Sequence, residues 1–434
     1  MGHLSKQKRW RALAAFFVAL ALSPVAGAQS RAPSMRVPAH YSYATRRTIT
    51  PGLDYFKLVR RRPGESVNIA RLTSGRGLEL RPVLSHDQLF EYGKRTERTS
   101  AMCRRVKCLA AVNGDFFAAG VPVGGVVAAG EVLRSPPGSR AQASFSEDGT
   151  ATMGELHVTG RLITTRVVPP QVTDPAMDAV HPRVPPTDST PFGGVNVSRH
   201  ADQIVLYTAA FGPKTLTNGS GVELVVKMSQ KGPIRSGVDV PVELVAKRRG
   251  NTKISSDVAI LSGHGDGAKA LEQIWKEVDA GARSSDAIVR VDSDPHAAMS
   301  IAGNPVILRN GKNAFSNHGI ARGHNPRTVL GWSPDGHVFL VTFDGRQGRR
   351  ALGMTLTEVA SFLRAIGITD ALNLDGGGST TFVGGGKVYN RPSDRLVRRH
   401  GRLRIVHSPR RGDRFIRYLE RPVAEALTIV RSGS

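Results

Sequence analysis

The sequence is poor in aromatic residues, and only one long apolar run stands out in it. Aromatic residues make up 6% of the 434 positions. We find no helix-turn-helix, zinc-finger or RNA-binding aromatic signature, so nucleic-acid binding is not expected. Beyond the N-terminal region, no stretch is long and apolar enough to span a bilayer. The sequence therefore predicts a folded protein with no stable membrane span after processing.

Cysteine is almost absent. The two cysteines, Cys103 and Cys108, are separated by four residues. In an oxidising compartment two such cysteines most often form one short-loop disulfide. The alternative is a metal site, but the cationic segment between them contains no histidine and offers no further ligands.

Acidic residues are scarce relative to basic ones. The chain has 60 Lys and Arg against 35 Asp and Glu, a formal net charge of +25. Such a surplus favours encounter with polyanions and carries no information about fold. Anionic polymers of the cell envelope are therefore the expected macromolecular partners.

The first 28 residues predict a secretory signal peptide. A basic start precedes an apolar run from Ala12 to Leu22, and the small residues Ala26, Gly27 and Ala28 follow. This run is short for a membrane span, although an uncleaved anchor is the alternative. Residues 29–52 predict a flexible tether and residues 53–434 a single large domain, interrupted by a proline-rich surface excursion at about 168–194. We expect a secreted or otherwise extracytoplasmic protein.

The most informative local pattern covers residues 337–381. An apolar, β-branched run, Val338 to Phe343, ends at Asp344. An amphipathic helix then begins after Thr355, with Glu358 completing a capping box, and a short apolar run ends at Asp375. The sequence thus predicts an α+β or mixed α/β domain with a mixed sheet and at least one parallel strand-helix-strand unit near its C-terminal end.

A parallel pair would place Asp344 and Asp375 at one edge of the sheet. Adjacent strands lie about 4.8 Å apart, so the two carboxylates would come within the separations that glycosidases use. The alternative is that each Asp-Gly dipeptide only forms a turn.

The glycine-rich segment that follows Asp375 is suited to an anion. Three glycines can turn the backbone sharply and present successive N–H groups, and hydroxyl side chains follow them. The lysine that closes a Walker loop is absent. Candidate ligands of a phosphate in this segment are Gly376, Gly377, Gly378, Ser379 and Thr380.

Three further motifs carry polar side chains suited to a phosphodiester. His324 could donate a hydrogen bond or exchange a proton, and Arg327 could clamp two phosphate oxygens. The alternative for His324 is an ordinary loop histidine, and for Asn113-Gly114-Asp115 a hairpin turn. The candidate binding residues from these motifs are Asn113, Asp115, Arg327, Thr328 and Arg346.

Two histidine-aspartate groups raise the question of a metal. Asp292, Asp294 and His296 alternate carboxylates with an imidazole, and His264 lies near Asp266. Neither group forms a complete ligand set in the sequence, so no cofactor is expected.

Taken in order, these motifs resemble the phosphodiester glycosidase family, which includes N-acetylglucosamine-1-phosphodiester α-N-acetylglucosaminidase. The motifs that carry the resemblance are Asn113 to Phe117, His324 to Thr328, Asp344 to Arg346, Asn373 to Thr381 and Glu420 to Val423. The resemblance implies hydrolysis of a sugar-1-phosphodiester to free sugar and phosphomonoester. For this chemistry we hypothesise catalytic roles for Asp375 and Asp344, assisted by His324.

Two other functions are compatible with the residues alone. A metal-dependent phosphodiesterase would use Asp292, Asp294 and His296 and would cleave on the far side of phosphorus. A non-catalytic binder of anionic envelope polymers would depend on the positive charge, and its binding would be sensitive to salt.

Overall fold

The computed structural model describes residues 34–90, 96–168, 185–407 and 410–433. The predicted signal peptide, residues 1–28, lies outside the described residues, as does most of the proline-rich excursion, residues 169–184. The described residues form one compact unit. No helix among the described residues is long and apolar enough to cross a membrane.

The described chain is built mostly from strands, which account for 47% of it against 11% for helix. From the N-terminus the strands are β1 Ser42–Thr50, β2 Leu53–Arg60, β3 Glu65–Thr73, β4 Leu78–Leu84, β5 Glu97–Arg98, β6 Ala110–Asn113, β7 Phe117–Ala118, β8 Val121–Pro122, β9 Val126–Ala128, β10 Glu131–Arg134, β11 Gln142–Phe145, β12 Ala151–Gly154, β13 His157–Arg166, β14 Thr187–Phe192, β15 Ile204–Tyr207 and β16 Val222–Met228. They continue as β17 Asp239–Arg248, β18 Val258–Gly263, β19 Arg283–Asp294, β20 Met299–Ala302, β21 Val306–Arg309, β22 Lys312–Asn313, β23 Arg327–Trp332, β24 His337–Phe343, β25 Asp370–Asn373, β26 Phe382–Gly384, β27 Lys387–Val388, β28 Asp394–Arg399, β29 Arg402–Val406, β30 Arg414–Leu419, β31 Pro422–Val423 and β32 Glu425–Arg431. The α-helices are α1 Thr99–Arg105, α2 Asp266–Asp279 and α3 Leu356–Ala365.

Four sheets of five or more strands organise the described chain, and one of them has the order β10-β9-β20-β11-β12. Of the other three, the first has eight strands in the order β1-β2-β3-β24-β23-β25-β21-β22, and the second has seven in the order β14-β13-β19-β17-β16-β18-β15. The third has five strands in the order β27-β26-β6-β32-β4. Helix α3 packs its buried face, including Leu356, Val359 and Phe362, against the first sheet, and α2 packs against the second. The hydrophobic cores lie between these layers.

The predicted parallel strand-helix-strand unit is wrong. Strands β24 and β25 flank α3 as expected, but β23 lies between them and pairs antiparallel with both. A tight turn at Ser333–Gly336 joins β23 to β24 as a hairpin. Because β23 occupies the position beside β24, the strand that follows α3, β25, pairs with β23 instead. Every pairing between the strands named above is antiparallel, and the described fold is mainly β.

The intervening strand still brings both strand ends to one edge. Because β24 and β25 each run antiparallel to β23, they run in the same direction and end beside the start of β23. Asp344 and Asp375 therefore flank Pro326 and Arg327, two strand spacings apart, which is about 10 Å between backbones.

The residues predicted as a flexible tether include an ordered strand. Within the predicted tether, residues 29–52, β1 pairs with β2 from Ser42 to Thr50. Its side chains are mostly exposed, which explains why no apolar period reveals the strand in the sequence. At the other boundary, β14 follows the undescribed part of the proline-rich excursion and pairs with β13.

Candidate active site

The glycine-rich loop lies at the shared edge of β24, β23 and β25. Gly377 has a φ of +61°, which favours glycine, and begins a short 3₁₀ turn that ends at Ser379. The loop is close-packed, because a Cβ on Gly378 would lie 2.0 Å from Arg421 Nη2 and one on Gly376 would lie 2.8 Å from the Pro326 carbonyl oxygen. The glycines thus allow neighbouring polar groups to approach the backbone closely.

Asn113 connects the loop to two other motifs. At the end of β6 its side chain is fully buried, and its Nδ2 donates to the Asp375 carbonyl at 2.7 Å. Its Oδ1 accepts from Thr328 Oγ1 at 2.8 Å and from the Thr381 amide at 3.1 Å. Asn113 and Thr328 therefore hold the loop in place, and their bonding capacity is used inside the protein.

The segment around Pro326 is the central support of the edge. The Gly377 amide donates to the Pro326 carbonyl at 2.9 Å. On the other side, a Cβ on Gly345 would lie 2.6 Å from the Pro326 nitrogen. Three motifs that are distant in sequence therefore pack backbone against backbone, which explains why glycines occur in two of them.

The side chain of Arg327 is more deeply buried, and makes more hydrogen bonds within the protein, than the sequence suggests. It is 2% exposed, and its guanidinium donates to the carbonyls of Ile320, Gly323 and Met354 at 2.7 to 3.0 Å. Burial, with a smaller contribution from Arg346, lowers its pKa to about 10. The contacts indicate that it fixes the loop before β23.

Arg346 faces the glycine-rich loop directly. A Cβ on Gly377 would lie 3.3 Å from both Nη atoms of Arg346. Its Nη2 donates to Asn325 Oδ1 at 2.8 Å, and its own carbonyl accepts from Arg395. Burial lowers the pKa of Arg346 and the nearby Arg421 lowers it further, so two guanidinium groups converge on this loop.

A second cationic group at the loop involves residues that the sequence patterns did not single out. Arg421 donates to both carboxylate oxygens of Asp394, at 2.9 and 3.1 Å. His407 Nδ1 lies 2.7 Å from Asp394 Oδ1 and 2.9 Å from Arg421 Nη2. Arg421 belongs to a motif of the family resemblance, whereas Asp394 and His407 carry no local signal because only the fold brings them to Gly378.

Asp375 directly precedes the glycine-rich loop in the sequence. Its Oδ1 accepts from the Gly376 amide at 2.8 Å, and its side chain is only partly buried. Burial raises its pKa, whereas hydrogen bonds from Ser379 and the Gly376 amide, and the charge of Arg421, act in the opposite direction. A partly exposed carboxylate at the base of a loop that two guanidinium groups face is suited to act on a bound anion.

Asp344 lies in a different environment. It is 1% exposed, its Oδ1 accepts from the Arg391 amide at 3.3 Å, and its Oδ2 has no partner among the described residues. Burial raises its pKa to about 6, against the attraction of Lys57. The two aspartates share an edge, but each faces a different set of charges.

Asp115 belongs to a buried group of acids next to the loop. Its carboxylate accepts from Arg140 Nη2 at 2.7 Å and from the Gly124 amide at 3.0 Å. Its own amide donates to Glu425 Oε1 at 2.8 Å. Burial raises the pKa of Asp115, and burial together with the charge of Asp115 raises that of Glu425 to about 8.

His324 points toward α3. It is 44% exposed, and its Nε2 lies 3.3 Å from Glu358 Oε2 in the capping box of that helix. No described contact connects it to Asp375.

Several hydroxyl groups at the loop are buried without a partner. The side-chain oxygens of Ser379, Thr380 and Thr381 are inaccessible, and those of Thr380 and Thr381 form no hydrogen bond with the described residues. The Ser379 hydroxyl lies close enough to Asp375 to stabilise its carboxylate. All three residues are at most 1% exposed. These groups support the loop from inside and offer polar atoms to water or to a ligand that enters it.

The cysteines form a disulfide between Cys103 and Cys108, beside the start of β6. Cys103, Cys108, Ala111 and Val383 pack together in a small core. Glu420, at the start of the Arg421 motif, accepts hydrogen bonds from Ser100 at the beginning of α1. Because both cysteines pack against Ala111 of β6, the disulfide stabilises the strand that presents Asn113.

No group of three or more His, Cys, Asp or Glu side chains suited to a metal ion occurs in the described part of the chain. Asp292 accepts from Arg290 at 3.0 Å, and His296 Nδ1 lies 3.4 Å from Ser236 Oγ.

Known proteins resemble this chain in sequence and in fold. The model of the family described as phosphodiester glycosidase matches residues 218–429. The resemblance to phosphodiester glycosidases is confirmed. Those residues include the glycine-rich loop and both arginines that face it.

One curated relative is N-acetylglucosamine-1-phosphodiester alpha-N-acetylglucosaminidase of Mus musculus. It is 40% identical over 91 residues, 19% of this chain, and the match spans only 17% of the mouse protein. Among solved structures, a hypothetical protein from Synechocystis has a TM-score of 0.56 and 18% identity, covering 90% of this chain and 68% of that one. A candidate exported protein from Burkholderia pseudomallei K96243 has a TM-score of 0.53 and 21% identity, covering 85% and 74%. These two structures share the fold.

Proposed function

We propose that the protein is an exported hydrolase that cleaves the glycosidic bond of a sugar-1-phosphodiester, giving free sugar and a phosphomonoester. The observation that carries the proposal is the convergence of Arg346 and Arg421 on the glycine-rich loop, directly after Asp375. This arrangement lies within the segment that matches the phosphodiester glycosidase family.

The loop and its two arginines hold the phosphodiester. Guanidinium groups bind phosphate oxygens through charge-assisted hydrogen bonds, and the glycines let the backbone approach the anion closely. As the glycosidic bond breaks, negative charge grows on the phosphate that leaves, and Arg346 and Arg421 stabilise this charge. Because such a phosphate is already a good leaving group, the reaction does not depend on a strong general acid.

Asp375 acts at the anomeric carbon, as nucleophile or as base for the attacking water. Asp344 is 1% exposed, so its role is electrostatic: in its ionised form it stabilises positive charge at the sugar. Arg327, Thr328, Asn113 and Asp115 hold the surrounding segments, since their described contacts are within the protein. His324, which lies beside α3, assists the reaction by donating a hydrogen bond or exchanging a proton.

The location follows from the N-terminal pattern. A secretory signal places the enzyme outside the cytoplasm, where phosphate-linked glycans and anionic envelope polymers occur. The positive charge of the chain raises the local concentration of such substrates.

The proposal is tested by incubating the protein with a panel of sugar-1-phosphodiesters and identifying the products. We expect free sugar and phosphomonoester in equal amounts from at least one member. Asp375→Asn should lower kcat by at least about a hundredfold, within the range known for catalytic carboxylates. The exposed Asp286→Asn is the matched control and should retain activity. Turnover near the wild-type rate by a folded Asp375→Asn protein would refute the assignment.

A further inference from the structure

The three-stranded sheet β29-β28-β30 extends directly from the candidate active site. Its central strand begins at Asp394, which binds Arg421 beside Gly378. The two outer strands are exposed along most of their length, on both faces. A small sheet with such open outer strands is unusual unless something covers it.

One face of this sheet mixes arginines with aliphatic side chains. In the strand register, Leu396 lies between Ile405 and Arg417, and Arg398 lies between Leu403 and Arg414. Side chains that are paired across antiparallel strands share a face, and so do alternate residues of one strand. We call this set the basic face: Leu396, Arg398, Leu403, Ile405, Arg414 and Arg417.

The sheet carries a large excess of positive charge. Residues 394–419 contain nine arginines and two acids. Both acids are already engaged, Asp394 by Arg421 and Asp413 by Arg399, whose Nε and Nη2 donate to it at 2.6 and 2.7 Å. Asp394, at the start of the same face, is neutralised by Arg421, so the positive charge of the arginines on the basic face is available to an outside anion.

The aliphatic side chains on the sheet indicate what kind of anion. Leu403 is 57% exposed and Ile405 is 65% exposed. Phe415 and Ile416, on the other outer strand, are also exposed, so this small sheet holds four of the eleven large exposed hydrophobic residues in the described chain. Phe415 pairs with Val397 and therefore lies on the opposite face. Arginines alone are sufficient to bind a soluble polyanion. An anionic bilayer binds arginines and apolar side chains together, because the arginines attract the headgroups and the apolar side chains enter the headgroup boundary.

We propose that the basic face docks the protein onto lipid bilayers that carry anionic headgroups. Because β28 starts at the Asp394–Arg421 pair, docking brings the glycine-rich loop close to the bilayer surface. Phosphodiester substrates carried on that surface would then reach the loop without free diffusion; this consequence rests on the proposed function, whereas the docking itself does not.

The test is cosedimentation of the full chain with vesicles, without any sugar substrate. Vesicles of phosphatidylcholine alone are compared with vesicles of equal parts phosphatidylcholine and phosphatidylglycerol. We expect at least about tenfold tighter binding to the anionic vesicles, since each arginine near such a surface contributes appreciably. Arg398→Gln/Arg414→Gln/Arg417→Gln should lose most of this preference. The matched control replaces three exposed arginines elsewhere, Arg76, Arg248 and Arg249, and should bind as the wild type does.

A second variant separates a bilayer from a soluble polyanion. Leu403→Ser/Ile405→Ser keeps every arginine, and we expect it to weaken binding to anionic vesicles several-fold, most clearly in high salt where charge attraction is screened. Unchanged binding by either basic-face variant would overturn the proposal. Full displacement of vesicles by inorganic polyphosphate, with the Leu403→Ser/Ile405→Ser protein unaffected, would also overturn it and would favour an anionic polymer. Thermal unfolding and hydrolysis of a soluble substrate check that both variants are folded.

Discussion

Asn113 shows how a single side chain can assemble a site. Its two polar atoms reach Asp375, Thr328 and Thr381, which lie 215 to 268 positions away in the sequence. Local patterns place Asn113 at the end of a strand, but they contain nothing about partners so distant. The sequence therefore predicts it as a candidate site residue without revealing that it holds the loop.

Removal of the Asn113 side chain should destabilise the protein strongly. Asn113→Ala leaves a buried hydroxyl, a buried amide and a buried carbonyl without their partner, and each such loss costs about 1 to 3 kcal/mol. We expect a loss of at least about 3 kcal/mol in the free energy of unfolding, measured by urea denaturation. Asn317→Ala, at an exposed position, should change it by less than about 0.5 kcal/mol. Equal stability of the two variants would contradict the role given to Asn113.

Glu425 should make stability depend on pH. Burial raises its pKa from 4.5 to about 8, so the folded state keeps a proton that the unfolded state has already released. The contribution of this group therefore favours folding at low pH and is lost as pH rises from about 4.5 to about 8.

Glu425→Gln removes this dependence, because an amide oxygen can still accept from the Asp115 amide. We compare the free energy of unfolding of the variant and the wild type by urea titration at pH 5 and pH 9. The difference, variant minus wild type, should be larger at pH 9 by at least about 1 kcal/mol. Glu147→Gln, at an exposed site, serves as the control. A difference that stays constant with pH would show that Glu425 does not retain its proton.

At the scale of elements, the glycine-rich loop requires glycine because the Arg421–Asp394 ion pair lies against its backbone. A Cβ on Gly378 would lie 2.0 Å from Arg421 Nη2 and 2.3 Å from Asp394 Oδ1. Gly378→Ala must therefore displace the ion pair that faces the loop.

We expect Gly378→Ala to reduce kcat/KM for a sugar-1-phosphodiester by at least about tenfold, because a shift of about 1 Å in a positioning group is costly. Gly138→Ala is the matched control, since a Cβ there meets nothing within 4 Å. Full activity in Gly378→Ala would indicate that Arg421 does not contact the substrate.

The elements around α3 illustrate what local patterns can predict. The strand that ends at Phe343, the capping box of Thr355 and Glu358, and the short strand before Leu374 all occur where periodicity and capping place them. Their pairing was predicted wrongly, because β23 carried no recognised strand signal and its hairpin with β24 decides the order of the sheet. Periodicity describes one segment, whereas strand order depends on which segments compete for an edge.

At the scale of the whole molecule, the last strand closes the structure around the site. Strand β32 pairs with β4 over seven residues and with β6 over four, and it begins with Glu425 under Asp115. Sequence patterns gave no sign that the two ends of the domain pair with each other, because such contacts have the largest separation along the chain.

Deletion of residues 425–434 should therefore abolish folding. Both β4 and β6 would lose a row of backbone hydrogen bonds, and the buried residues Leu427 and Ile429 would leave the core. We expect no cooperative thermal transition in circular dichroism. Deletion of residues 432–434 should leave the transition in place. A cooperative transition in the longer deletion would contradict this role for β32.

The central claim, cleavage of the glycosidic bond of a sugar-1-phosphodiester, is tested most directly by hydrolysis in oxygen-18 water. Attack at the anomeric carbon places the label in the C1 hydroxyl of the released sugar and leaves the phosphomonoester unlabelled. The account predicts this result, together with its loss in Asp375→Asn. Label in the phosphate would show attack at phosphorus and would contradict the account.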